Sequence, residues 1–119
     1  MILITGSTGY IGSHLSYYFQ KKKIEFIGID NLSYSYKSNI NKKTNHFFFD
    51  ISNKKKVFQL IKKYKIDIVI HAAAFSYVLE AEKEKKRYFV NNITNTMKFI
   101  DICKKANIKK FIFLSSSNV

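Results

Sequence analysis

The sequence predicts an α/β fold built on a doubly wound parallel sheet, with five strands along the 119 residues. Short apolar runs alternate with longer segments of helical periodicity, which is typical of consecutive βαβ units. These runs are apolar on both faces, as buried strands of a parallel sheet are. The residues with possible chemistry follow the runs directly. Ligands of such sheets bind at the carboxyl ends of the strands, so the sequence also predicts a ligand crevice there.

The first strand is predicted at residues 1–4, and a glycine-rich turn follows it. Gly6, Gly9 and Gly12 are three of the chain's four glycines, and their spacing lies between a strand and a helix, where it indicates a dinucleotide site. Gly6 can make the tight turn, Gly9 lets a pyrophosphate approach the backbone, and Gly12 lets the helix lie close to the strand. The free N–H groups of the first helical turn then face the anion.

Apolar residues at helical spacing follow this turn, which predicts a helix there. These residues are Ile11, Leu15, Tyr18 and Phe19.

A second buried strand is predicted at residues 24–29, and Asp30 ends it. Asp30 lies close to the position, about 20 residues past the glycine turn, where a carboxylate accepts hydrogen bonds from the adenosine ribose. A carboxylate there would repel a 2′-phosphate, so the sequence favours NAD over NADP. A simple turn or capping role for Asp30 is the alternative.

Residues 31–45 are polar and are expected to form a loop before a third strand at residues 47–49. Asp50 follows this strand, where its carboxylate could bind the adenine amino group. A role at the start of the next helix is an equal alternative for Asp50. That helix should begin at a cap formed by Ser52 or Asn53. Its predicted buried face consists of Val57, Leu60, Ile61 and Tyr64.

The fourth strand is predicted at residues 66–70, and His71 and three alanines follow it. Small side chains at this point would let the chain pass closely beneath a cofactor. His71 is interpreted as a packed, hydrogen-bonded histidine, because no second histidine or carboxylate neighbours it in the pattern. We give His14 and His46 the same interpretation.

A charged segment at residues 80–87 precedes the last helix, and the fifth strand is predicted at residues 111–114. Asn91 and Asn92, early in the helix, could point at the cofactor cleft. The predicted buried face of the helix consists of Ile93, Met97, Ile100 and Cys103, with Met97 and Cys103 filling the core.

Composition argues against several other classes of protein. No apolar run approaches the ~20 residues of a membrane span, and Met1 leads directly into a strand, so we expect neither a membrane anchor nor a signal peptide and favour the cytoplasm. The single cysteine, Cys103, excludes an internal disulfide and a cysteine metal cluster, and no metal site is predicted. The net charge of +13 suggests nucleic-acid binding. The charge is spread over many lysines with one arginine, so we do not favour that function.

These motifs together resemble the extended short-chain dehydrogenase/reductase family, the NAD-dependent epimerases and dehydratases, over the whole chain. The matching segments are residues 5–14, 30–33, 50–51, 71–74, 88–92 and 111–119. The resemblance implies a Rossmann-type doubly wound sheet, truncated after its fifth strand, in which residues 1–119 form the N-terminal portion of an NAD-binding domain. It also implies NAD as the cofactor and a nucleotide-sugar epimerase activity that converts UDP-sugars through a 4-keto intermediate.

The resemblance implies roles for individual residues on the phosphate and adenosine side. The residues that would hold the pyrophosphate are Gly6, Gly9, Tyr10, Ile11 and Gly12. The residues that would hold the ribose and its surroundings are Asp30, Asn31 and Ser33, and those that would flank adenine are Asp50 and Ile51.

On the nicotinamide side, the residues that the resemblance implies are Ala72, Ala73, Ala74 and Phe75, with Asn91 nearby. Ser116 falls at the position of the family's catalytic serine, and Ser117 is the alternative. Many members carry a lysine where this chain has Ser76.

The family's catalytic Tyr-x-x-x-Lys pair and its UDP-sugar lobe lie beyond the part of the family's sequence that these residues resemble. We therefore expect this chain alone to be inactive, with the UDP-sugar bound only by a complete parent. Two alternatives remain: a nucleotide-sugar 4,6-dehydratase, whose acidic pair is replaced here by Ser117-Asn118, and a non-catalytic NAD-binding module. Family homodimers pair through helices, one of which matches residues 88–106; the partner helix is missing, so we do not expect native pairing. An uncovered fifth strand predicts self-association instead.

Overall fold

A computed structural model describes residues 1–40 and 44–115 of the chain. Strands and helices alternate along these residues. Their bounds are β1 Ile2–Thr5, α1 Tyr10–Lys21, β2 Phe26–Asp30, a 3₁₀ turn Lys37–Asn39, β3 Asn45–Phe48, α2 Lys54–Tyr64, β4 Ile68–His71, α3 Val78–Lys83, α4 Lys85–Phe89, a π-helical turn Val90–Thr94, α5 Asn95–Lys105 and β5 Lys110–Phe113.

The five strands form one parallel sheet in the order β3-β2-β1-β4-β5. Thr5, at the end of β1, pairs with Ile29 on one side and with His71 on the other. Asp30 pairs with Phe48. The carboxyl ends of these strands therefore meet at one edge of the sheet, and the chain reverses direction across the sheet between β1 and β4. This is the predicted Rossmann-type α/β fold, and the point of reversal is where such sheets form a ligand crevice.

The main core lies between the sheet and helices α2 and α5, which pack against each other. Leu3, Ile27 and Val69 of the three central strands are fully buried in it. Helix α2 is capped by Asn53, whose side-chain oxygen accepts a hydrogen bond of 3.1 Å from the Lys56 amide. The predicted face of α2 is confirmed. Its buried residues are Val57, Leu60 and Ile61, and Tyr64 packs at the margin.

The helix predicted after the glycine turn is confirmed as α1, but its apolar residues do not form one buried face. Ile11 and Tyr18 are exposed, and the residues buried on α1 are Gly12 and Ser16. A Cβ atom on Gly12 would clash with the Gly6 carbonyl, so α1 reaches the glycine turn through the side of the helix that has the smallest side chains. Close approach at a glycine, rather than apolar periodicity, sets how α1 is rotated about its axis.

The predicted buried face of α5 is wrong. Ile93, Met97 and Ile100 are exposed, so Met97 does not fill the core. The buried residues are Thr96, Phe99, Ile102 and Cys103, of which only Cys103 had been assigned to the buried face. Two apolar stripes run along this helix, and the stripe that contains Phe99 turns inward because the neighbouring Thr96 hydroxyl bonds to His71 on β4.

Candidate dinucleotide site

The glycine turn after β1 is shaped by backbone contacts that exclude side chains. Gly6 has a φ of +67°, and a Cβ atom there would lie 2.8 Å from the Ala73 backbone. Gly9 differs, since its amide donates to the Gly6 carbonyl at 3.1 Å, and a Cβ atom on it would approach only that carbonyl, at 3.3 Å. Gly6 and Gly12 are thus required by packing, whereas Gly9 keeps an open side toward the crevice.

A pocket opens at the carboxyl ends of the strands, and most of the predicted cofactor residues line it. They are Gly6, Gly9, Asp30, Asn31, Ser33, Asp50, Ile51, Ala72, Ala73, Ala74, Phe75 and Asn91. The three that do not line it are Tyr10, Ile11 and Gly12, the first residues of α1. The topology therefore gathers residues from five separate parts of the sequence around one cavity.

Asp30 connects the glycine turn to the loop that follows β2. One carboxylate oxygen accepts a hydrogen bond of 3.1 Å from the Thr8 amide. The other accepts bonds from the Leu32 amide at 2.8 Å and from the Ser35 hydroxyl at 3.3 Å. Asp30 thus stabilises the turn through hydrogen bonds and also lines the pocket. A carboxylate has about four acceptor sites, so one remains, and the long bond to Ser35 is the easiest to exchange for a ligand hydroxyl.

Asp50 lines the same pocket from the end of β3. Its carboxylate accepts hydrogen bonds of 2.8 Å from the Ser52 amide and from the Asn31 side chain. Partial burial acts to raise the pKa of Asp50, but these hydrogen bonds outweigh it and hold the pKa below its usual range. The helix cap is Asn53 rather than Asp50. Two acidic side chains thus lie at neighbouring strand ends.

His71 lies beneath the alanine segment and is only 2% exposed. Its Nδ1 is 2.7 Å from the Thr5 hydroxyl, and its Nε2 is 3.1 Å from the Thr96 hydroxyl. Burial lowers the pKa of His71 to about 4, so the ring is neutral at physiological pH. The predicted packed, hydrogen-bonded histidine is confirmed. The Thr5 hydroxyl also accepts a bond of 3.2 Å from the Ala73 amide, which fixes the chain where it enters the pocket.

Asn92 holds the backbone of Phe75 through a pair of hydrogen bonds. Its side-chain oxygen accepts from the Phe75 amide and its nitrogen donates to the Phe75 carbonyl, both at 2.8 Å. The expectation that both asparagines point at the cleft is wrong for Asn92, because these bonds occupy its amide; only Asn91 lines the pocket. The π-helical turn in which both lie is a feature often found at functional sites.

Several pocket residues were missed by the sequence reasoning, which treated residues 31–45 only as a polar loop. Tyr34 and Ser35 of this loop line the cavity, together with Ile29 and Phe49. The Ser35 hydroxyl is hydrogen-bonded to that of Thr8. A run of hydroxyl residues directly after the acidic end of a strand was the available signal.

The catalytic candidates Ser116 and Ser117 lie outside the described residues. Within residues 1–40 and 44–115, no group of three histidine, cysteine or acidic residues could hold a metal ion. The same part of the chain contains no helix long and apolar enough to cross a membrane.

Comparison with known proteins identifies relatives of the whole chain. Residues 2–119 match the model of the NAD dependent epimerase/dehydratase family. The chain is 39% identical to the dTDP-D-glucose 4,6-dehydratase of Dictyostelium discoideum over 99% of its own length and 29% of that protein. It is 31% identical to a UDP-glucose 4-epimerase of Klebsiella pneumoniae over 99% of its own length and 90% of that sequence.

A solved structure shows the same fold. It is the UDP-glucose-4-epimerase of Stenotrophomonas maltophila with bound NAD and formylated UDP-arabinopyranose, which superposes with a TM-score of 0.94 at 28% identity. The superposition covers 99% of this chain and 37% of that one. This chain therefore spans just over a third of the solved enzyme.

Proposed function

This chain belongs to the NAD-dependent epimerase/dehydratase family, and from that premise we propose that its pocket binds NAD as part of a nucleotide-sugar epimerase resembling UDP-glucose 4-epimerase. One observation carries the proposal. The glycine turn, two carboxylates and an alanine segment line a single cavity at the point where the sheet reverses direction. That is where open α/β sheets bind dinucleotides.

The phosphate end of the cavity fits an anion. Among residues 1–40 and 44–115, no side chain caps the N-terminus of α1, so its first N–H groups remain available to an anion. Gly9, at the cap position, leaves room for the pyrophosphate to reach them. The positive end of the helix dipole adds to this attraction.

The adenosine end favours NAD over NADP. Asp30 and Asp50 both line it, and the lining of this pocket in the described part of the chain includes no lysine or arginine. A 2′-phosphate would meet two carboxylates and no counter-charge, whereas ribose hydroxyls can donate to Asp30.

When bound, NAD supplies a hydride acceptor. This chain's own residues would hold it: the Thr5 hydroxyl and the Asn92 amide fix the segment from Ala72 to Phe75 that would line the nicotinamide. Ser116 is the residue proposed to hydrogen-bond the reacting sugar oxygen. The proton acceptor of the family belongs to a Tyr-x-x-x-Lys segment that lies beyond the part of the family's sequence resembled by residues 1–119, so we propose that this chain alone has no turnover.

A nucleotide-sugar 4,6-dehydratase is the second candidate, because the dehydratase relative shares 39% identity. Ser117-Asn118, where that class has an acidic pair, supports the epimerase. A UDP-sugar epimerase assay and a dTDP-sugar dehydratase assay on any longer parent chain would decide between them.

The proposal is tested by isothermal titration of the 119-residue chain with NAD and with NADP. We expect NAD to bind and NADP to bind at least tenfold more weakly. Asp30→Asn should weaken NAD binding and reduce the ratio between the affinities for NAD and NADP. Asp101→Asn is a matched control, since it removes an equal charge from a carboxylate that bonds Lys105 on the outer face of α5. Absence of NAD binding, or equal affinity for both dinucleotides, would remove the proposed site.

A further inference from the structure

Glu80, on α3, accepts hydrogen bonds from three side chains. The Tyr34 hydroxyl donates to Oε2 at 2.6 Å and the Tyr88 hydroxyl to the same oxygen at 2.8 Å. The Arg87 guanidinium donates to Oε1 at 2.9 Å. Tyr88 and Arg87 lie on α4, next to α3 in sequence, whereas Tyr34 belongs to the loop after β2. The bond from Tyr34 therefore joins two segments that are 46 residues apart.

Aromatic packing supports the same junction. The Tyr34 ring meets the Phe75 ring edge-on, with 4.8 Å between their centroids, and its centroid lies 5.1 Å from that of the Tyr77 ring. The Cζ atom of the Arg87 guanidinium lies over the Tyr34 ring, 5.6 Å from its centroid, and over the Phe75 ring, 4.9 Å from its centroid. Because the Phe75 backbone is fixed by Asn92, Tyr34 rests on an anchored surface.

Tyr34 and Phe75 both line the dinucleotide pocket, Tyr34 from the loop after β2 and Phe75 from the segment after β4. Their rings touch, so they connect the adenosine wall of the pocket to its nicotinamide wall. We propose that Tyr34 and Glu80 form a latch that fastens these two walls together and slows the release of the bound dinucleotide. This inference rests on the proposed function and adds positioning residues to the pocket.

The chemistry of the pair suits a latch that stays closed at neutral pH. Hydrogen bonds from Tyr34 and Tyr88 are the main reason that the pKa of Glu80 lies below its usual range. Loss of surrounding water and the bond to Glu80 raise the pKa of Tyr34. The acceptor is therefore charged and the donor protonated. The bond is solvent-exposed, so it can open, and its effect should be a moderate one on rate.

The test compares two variants that each remove one hydroxyl from Glu80. Tyr34→Phe deletes the bond that crosses between the walls and keeps the ring; Tyr88→Phe deletes the bond within α3 and α4. Release of NADH is followed by its fluorescence when excess NAD is added. We expect release from Tyr34→Phe to be about fivefold faster than from the wild type, as for the loss of one exposed charge-assisted bond. Tyr88→Phe should release NADH within about twofold of the wild-type rate, because it leaves the crossing bond in place.

The outcomes separate this inference from the proposed function. Equal release rates in all three proteins would overturn the latch while leaving NAD binding intact. Failure of all three proteins to bind NADH would overturn the proposed function.

Amide hydrogen exchange of residues 31–36 in the ligand-free proteins tests the latch without any dinucleotide. Exchange should accelerate in Tyr34→Phe and not in Tyr88→Phe. Unchanged exchange in Tyr34→Phe would show that the bond does not tether the loop, and would overturn the inference whether or not NADH binds.

Discussion

The half of the sheet that contains β2 and the half that contains β5 differ in how fully the described residues bury their side chains. On the β2 side, Phe26, Ile27 and Ile29 are all buried. On the β5 side, Ile112 is 47% exposed and Phe113 is 54% exposed. The β2 side also holds the carboxylates of the pocket, whereas β5 precedes in sequence the serines proposed for chemistry.

The candidate dinucleotide pocket is thus formed by contacts within the described residues, whereas the β5 side presents exposed apolar side chains. Met97 and Ile100 of α5, and Ile93 of the π-helical turn before it, are exposed apolar side chains as well. Where such side chains form one patch, they mark a site of protein contact. Self-association of the isolated chain remains our expectation, and sedimentation velocity at several concentrations would test it.

The largest effect is expected at Gly12, which joins α1 to the glycine turn. In Gly12→Ala the new methyl group meets backbone, which cannot move aside as a side chain can. We expect the free energy of unfolding to fall by several kcal/mol, which approaches the whole stability of a small domain, ~5 kcal/mol. Circular dichroism during urea unfolding measures it.

Gly9→Ala is the matched control for that variant, because the same methyl group is added three residues earlier at a looser contact. It should stay folded and lose NAD affinity. A folded Gly12→Ala with unchanged stability would contradict the role assigned to backbone packing.

The next effect separates the two faces of α5. Phe99 is fully buried, against the rings of His71 and Phe111. Phe99→Ala should reduce the free energy of unfolding by about 3–5 kcal/mol. Met97→Ala, on the exposed face, should change it by less than about 0.5 kcal/mol. Denaturant titration of both variants decides the matter, and similar losses would mean that both faces of α5 are covered.

The error on α5 shows where sequence reasoning stops. The strands, the pocket edge and most of its lining follow from apolar runs and from residues at strand ends, since parallel pairing brings those ends together. Helix rotation does not follow in the same way. On α5 two apolar stripes compete, and the bond from Thr96 to His71 joins residues 25 apart in sequence, so periodicity alone could not choose between them. The contact between Tyr34 and Glu80 was missed for the same reason.

The third effect is a dependence of stability on pH that comes from His71. Its pKa is about 4 in the folded chain, against an ordinary value of 6.5. Between these values the unfolded chain binds a proton that the folded chain does not, so stability falls as pH falls from 6.5 to 4. The pKa shift corresponds to a loss of about 3 kcal/mol in the free energy of unfolding as the pH falls from 6.5 to 4. Urea unfolding at a series of pH values measures the slope.

His71→Asn tests that assignment. The variant should be less stable at pH 7 but should lose much of the slope between pH 6.5 and 4. Burial also lowers the pKa of His46, partly offset by Asp30, so some slope of the same sign should remain. If the pH dependence of stability is unchanged in His71→Asn, another residue is responsible for it.

The smallest effect is expected at the cap of α2, on the well-covered side of the sheet. Asn53 satisfies the Lys56 amide, which has no partner within the helix. Asn53→Ala leaves that amide to water and should cost about 1 kcal/mol. Asn53→Asp keeps an acceptor at the same position and should retain the stability, because a carboxylate at a helix N-terminus is also favoured by the dipole. If both variants lose equal stability in urea unfolding, the side chain does not act as a cap, and α2 depends only on its buried face.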